Sequence, residues 1–119
     1  MTVQAQFIGG LERVNPVRLT STSNTDIHTA TDNETIVAGF GIANETSGAV
    51  KISVFWYNAS NTTSYLIWRG DIAADGATIV SDIPQRLRAG DKITATAASG
   101  NALTVNPKVM RLGRTVPAL

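Results

Sequence analysis

Residues 34–57 hold two runs in which apolar side chains recur at every second position, ETIVAGFGIAN and AVKISVFWYN, with the turn-forming segment Glu45-Thr46-Ser47-Gly48 between them. A period of two is the pattern of a strand with one face in a core and the other outside it. The two runs therefore predict a β-hairpin. Ile36, Ala38, Phe40 and Ile42 share one face of its first strand, and Val50, Ile52, Val54 and Trp56 one face of its second. The same alternation sends Phe55 and Tyr57 to the opposite, outward side.

The remaining chain repeats this style. Residues 17–21 and 26–31 are Thr-rich strands split by Ser23-Asn24, and residues 64–72 form an aromatic-rich strand after the polar loop NASNTT. Asp75-Gly76 turns into a strand at 78–83 that Pro84 closes. A tight turn over 87–93 leads to a strand at 94–98, and Ser99-Gly100-Asn101 leads to strands at 102–105 and 108–112. Turn signals at about 8 to 12 residue spacing mark an all-β sandwich or barrel, here of about eight strands. With 119 residues the chain forms one domain. The economical architecture is a two-layer antiparallel β-sandwich, jelly-roll-like, because each sheet needs a second to cover its apolar face.

The ends differ from the middle. Gly9-Gly10 and Asn15-Pro16 break regular structure, so residues 1–16 are read as an N-terminal arm or edge segment and 17–112 as the sandwich core. Residues 113–119 end in a Pro-containing apolar tail with no obvious strand partner, of the kind that either dangles or docks on a neighbour. Phe7, Ile8 and Leu11 are the apolar anchors of the first arm, and Val116, Pro117 and Leu119 those of the second.

Catalytic and metal chemistry finds little to work with. The single histidine, His28, lies on a Thr-rich strand and reads as an edge residue; there is no cysteine. A Ser-His pair, a several-histidine metal site and a thiolate site all need more than that. Asp71, Asp75 and the Asp32-Asn33-Glu34 cluster sit where turns are expected, so they read as turn residues and not as calcium ligands or a glycosidase pair. Gly39-Phe40-Gly41 lies inside a strand and opens no helix, so it cradles no phosphate; its glycines relieve crowding or let another backbone approach. These residues point away from an enzyme and call for no cofactor.

Net charge is +1, with ten basic residues spread from Arg13 to Arg114, which leaves no footprint for nucleic acid. Only Arg86, Arg88 and Lys92 approach one another, and they read as a solvated edge. No apolar run reaches the length of a membrane span, and residues 1–16 lack the layout of a secretory signal, so a cytosolic origin is expected. The four Asn-x-Ser/Thr triplets, starting at Asn33, Asn44, Asn58 and Asn61, then read as turn chemistry. Binding is the open possibility. Phe55, Tyr57, Trp68 and Arg69 suit either a subunit interface or a shallow sugar-stacking groove.

The order of elements resembles small β-sandwich virion proteins of tailed bacteriophages: TDIHTAT, then VAGFGIAN, ETSGAV and KISVFWY, then YLIWRGDIA with its turn ADGATIV, and LRAGDKI before TATA. The likeness spans residues 17–112 and is to head decoration, cement or tail-associated proteins. It implies a non-enzymatic structural role in a virion assembled in the cytoplasm of a bacterial host. The implied partners are further copies in a dimer or trimer and a major capsid or tail protein. A carbohydrate-binding sandwich module or a tail-associated receptor-binding protein, either meeting a surface glycan, is the alternative.

Overall fold

A computed structural model describes residues 10–12, 14–81 and 84–111. Among them are ten strands: β1 (Gly10–Glu12), β2 (Val17–Arg18), β3 (Thr25–Thr29), β4 (Thr35–Asn44), β5 (Val50–Asn58), β6 (Thr63–Ile72), β7 (Ala77–Val80), β8 (Gln85–Leu87), β9 (Lys92–Ala97) and β10 (Leu103–Arg111). All pairings are antiparallel. One sheet runs β1-β10-β4-β7, with β2 also on β10 and β8 also on β4; the other runs β3-β9-β5-β6.

Counting β1 with β2 and β7 with β8 as broken single strands leaves eight positions. Numbered in chain order, these divide between the sheets as 1-8-3-6 and 2-7-4-5, which is a jelly roll of two Greek keys. The expected all-β sandwich is the observed fold.

The expected hairpin is not. β4 lies in the first sheet and β5 in the second, so residues 45–49 carry the chain across the sandwich and belong to no strand ladder. Alternation plus a short polar turn describes a sheet-crossing arch as well as a hairpin, and only the partners of each strand distinguish the two. Here the partners of β4 are β10, β7 and β8, all distant in sequence. The hairpin of the second sheet is β5–β6, closed by residues 59–62.

Asn44 makes the crossing. It is 3% exposed. Its Nδ2 donates to the carbonyls of Gly48 at 2.8 Å and Ile72 at 3.0 Å, and its Oδ1 accepts from the Thr46 backbone N–H at 2.9 Å and the Thr46 hydroxyl at 2.7 Å. An amide offers two donors and one oxygen acceptor, and all are used.

Register shifts interrupt three ladders among the described residues, that of β3 with β9 at Ile27 and those of β4 and β6. Gly39 faces Lys108 and Val37 faces Val109, leaving Ala38 without an opposite residue. The inward set of β4 is therefore Thr35, Val37, Phe40, Ile42 and Asn44, which corrects the expectation for Ile36 and Ala38. In β6 the extra residue is Ile67, since Val54 faces Trp68 and Phe55 faces Leu66. Where two strands are expected at 102–105 and 108–112, the described residues form a single one, Leu103–Arg111, running through Pro107. The imino ring is tolerated because β1 ends at Glu12, opposite Val109, and β2 begins at Val17, opposite Val105, so on that side β10 has no paired strand at 106–108.

Between the sheets, Leu19, Ile42, Ile52, Val54, Ile72, Leu87, Ile93, Leu103 and Val105 are fully buried. Phe40 of one sheet meets Trp68 of the other edge to face, at 6.2 Å and 73°. The Trp68 ring lies over Gly70, where a Cβ would come within 2.8 Å of it. Gly39 is needed for a different reason: a Cβ there would meet the Val80 carbonyl oxygen at 2.3 Å, so β7 can close on β4 only over a glycine.

Candidate functional site

The outer face of the β3-β9-β5-β6 sheet carries Phe55 and Tyr57, as expected, but both are half-buried. Phe55 faces Leu66 and Thr94, and Tyr57 faces Ser64 and Lys92. The Lys92 ammonium sits 5.6 Å from the centre of the Tyr57 ring and pairs with Asp26 at 3.2 Å, so the ring is already in contact with a cation. Arg69 joins this face and donates from Nε to the Ser53 hydroxyl at 3.0 Å.

Trp68 does not join it. The bulge at Ile67 turns Trp68 inward onto Phe40, so the structure does not bring Trp68 and Tyr57 together as one groove. Of the arm candidates, Leu11 lies in β1 with its backbone paired to Met110. Phe7, Ile8, Val116 and Leu119 lie outside the described residues.

The outer face of the other sheet is built differently. Gly41 and Ala43 of β4 stand between Thr104 and Asn106 of β10 and Ala77 and Ile79 of β7. Small side chains leave a shallow depression of about 310 Å³ lined by Pro16, Gly41, Ala43, Ala77 and Thr104, and nothing lies within 4 Å of where a Gly41 Cβ would be. Ile79 rises beside it and is 75% exposed, the most exposed of the large apolar side chains described. A second depression of about 150 Å³, lined by Val80, Ser81 and Lys108, lies against the same Ile79. A knob thus stands between two sockets on one flat face.

A third feature lies at the end of the sandwich where β5, β8 and β9 have their ends. Trp56, Asn58, Ser60, Arg86, Arg88 and Asp91 line a cleft of about 400 Å³. Its walls are pinned. The Asp91 carboxylate, 4% exposed, accepts from the Ala59 N–H at 2.9 Å and the Arg88 N–H at 3.1 Å, which ties the β5–β6 turn to the loop after β8. Asn33 accepts from the Ala89 N–H at 3.0 Å and fixes that loop from its other side. Gly90, at φ 92°, supplies the left-handed turn that brings Asp91 back.

Three side chains that line this cleft carry unspent donors. The Trp56 indole N–H is buried with no hydrogen-bond partner among the described residues. Arg86 and Arg88 are exposed, and neither has an ion-pair partner among the described residues. Sequence reasoning placed Trp56 in the core and these arginines on a solvated edge. The Arg-x-Arg spacing is visible in the sequence, but the approach of Trp56 from thirty residues away comes from the fold.

Asp32, near the same end, has its carboxyl held below the usual carboxylate range, mainly by the Glu34 backbone N–H and also by Arg111 and the Thr35 hydroxyl, with burial opposing. No group of three or more His, Cys, Asp or Glu side chains that could hold a metal ion occurs among the described residues.

No family model matches this chain, and no curated protein matches it. Among solved structures it is similar to the CBM22-1–GH10 modules of endo-1,4-β-D-xylanase 10B from Clostridium thermocellum, complexed with xylohexaose, at 16% identity and a TM-score of 0.45. The match covers 87% of this chain and 22% of that one, so the chain spans about a fifth of that protein's length.

Proposed function

We propose that this chain is a non-enzymatic structural protein of a bacteriophage virion, a capsid decoration or cement protein that adds strength to an assembled particle through contacts between copies. The observation that carries this reading is the β4-β7-β10 face, where Ile79 stands 75% exposed beside depressions of about 310 and 150 Å³. A knob next to a socket on one surface is self-complementary under a two-fold axis: each copy seats its Ile79 over the Gly41 of the other. Flat sheet faces of this kind pack about 10 Å apart with side chains interdigitated. The jelly roll and the order of turns resembling small virion proteins support the same reading.

Such contacts are individually modest, and a particle multiplies them. Burying the exposed part of one Ile contributes about 1.5 to 3 kcal/mol. Many symmetric copies turn that into a large gain in particle stability without any single tight interface. Association with a major capsid or tail protein would use the surfaces left free by this contact, the Phe55-Leu66-Arg69 face among them.

The experiment is to band particles from a lysate of the bacterium that carries this chain on a density gradient and quantify the protein in the particle band. The proposal expects a stoichiometric, symmetry-related copy number per particle. Recovery of the protein only in the soluble fraction contradicts it.

A further inference from the structure

We propose that the cleft between Trp56 and the Arg86-Arg88 pair is a binding site for a carboxylate-bearing, hydroxyl-rich small ligand, a hexuronic acid unit of an acidic sugar. This goes beyond the assembly reading and does not depend on it, since the cleft lies at the end of the sandwich and Ile79 on a sheet face.

A buried donor with no acceptor is rare in folded proteins and calls for a partner. The Trp56 indole N–H is such a donor, and it can only donate. The guanidinium groups of Arg86 and Arg88 can also only donate, and they line the same cleft of about 400 Å³. The one carboxylate among the described lining residues, Asp91, is engaged with two backbone N–H groups. Its walls are therefore rich in donors and poor in free acceptors, so the fitting ligand presents acceptor oxygens.

Charge selects among such ligands. Among the described residues the lining carries two arginines and one aspartate, a positive balance that favours an anionic ligand. A planar carboxylate also suits the guanidinium fork. Asn58 and Ser60 complete the lining, and their amide and hydroxyl groups are suited to sugar hydroxyls. The volume lies within the roughly 300 to 1,000 Å³ of small-molecule sites. Because Asp91 and Asn33 pin the walls through backbone hydrogen bonds, the site is formed before a ligand arrives.

The test is a titration of the full ¹⁵N-labelled chain followed through its two tryptophan indole N–H resonances, assigned with Trp68→Phe. Glucuronate, galacturonate, glucose and inorganic phosphate are added separately. The proposal expects a uronate to move the Trp56 resonance saturably while the Trp68 resonance stays in place. It expects affinity to fall at least about tenfold in Arg86→Gln and in Arg88→Gln, each a surface substitution that leaves the fold intact. An unmoved Trp56 resonance with both uronates overturns the proposal. So does glucose or phosphate binding as tightly as the uronates, or unchanged uronate affinity in both arginine variants.

Discussion

Replacing Asn44 with alanine tests the account of how this chain crosses between its sheets. The side chain makes four hydrogen bonds, of which the one to the Ile72 carbonyl is buried and the three to Gly48 and Thr46 are partly buried. A buried bond whose partner is left unsatisfied costs about 1 to 3 kcal/mol, and a partly buried one that water can replace about 0.5. Asn44→Ala should therefore lower stability by about 3 kcal/mol. For a domain of this size that is a fall in Tm of about 10 °C. Equilibrium unfolding in urea measures it, with an unchanged m-value showing that the same surface is exposed on unfolding. Asn44→Asp sharpens the test. It keeps the two acceptor bonds with Thr46 but loses both donations and sets a charge against two carbonyl oxygens, so it should be at least as damaging as alanine. A loss below about 1 kcal/mol for Asn44→Ala would refute the claim that this residue holds the arch.

Gly39→Ala places a methyl group 2.3 Å from the Val80 carbonyl oxygen, so β7 must move off β4; we expect a loss of about 2 to 3 kcal/mol in the same unfolding assay. Gly41→Ala, with open space at its Cβ position, should be near neutral and serves as the control. For Asp32, the carboxyl titrates below its unfolded value of 3.8, so its charged form favours the folded state. That contribution is present above the unfolded value and disappears as pH falls through the lower folded one. Asp32→Asn should accordingly flatten the acid limb of a stability–pH profile below about pH 4 and leave its slope at neutral pH unchanged.

What was legible in the sequence, and what was not, divides by whether the deciding partner is local. Alternation in residues 34–44 and 49–58 and the turns at Asp75-Gly76 and Ser99-Asn101 suffice for an all-β sandwich, because each reports on its own strand. Asp75 and Asn101 do adopt positive φ, 51° and 58°, as turn residues can. Whether β4 pairs with β5 depends instead on β10, which lies some sixty residues further along the chain. No pattern within residues 34–57 carries that information.

The bulges act in the same way. A single unpaired residue, Ala38 or Ile67, inverts the faces of everything beyond it, which moved Ile36 off the core face and turned Trp68 inward. β8 escaped the sequence reading because Gln85-Arg86-Leu87 has one apolar residue and follows Pro84. The surfaces followed suit: Phe55 and Tyr57 were placed on the outer face by local alternation, whereas the Ile79 knob and the Trp56-Arg86-Arg88 cleft exist only because strands distant in sequence meet.

The most direct test of the proposed role is the mass of the purified protein in solution by sedimentation, over a range of concentrations, for the natural chain and for Ile79→Asp. The account predicts a concentration-dependent dimer or larger symmetric assembly that Ile79→Asp converts to monomer, while its unfolding free energy, measured dilute enough for both chains to be monomeric, stays within about 0.5 kcal/mol of the natural chain. A natural chain that remains monomeric throughout, or an Ile79→Asp variant that associates equally well, would contradict it.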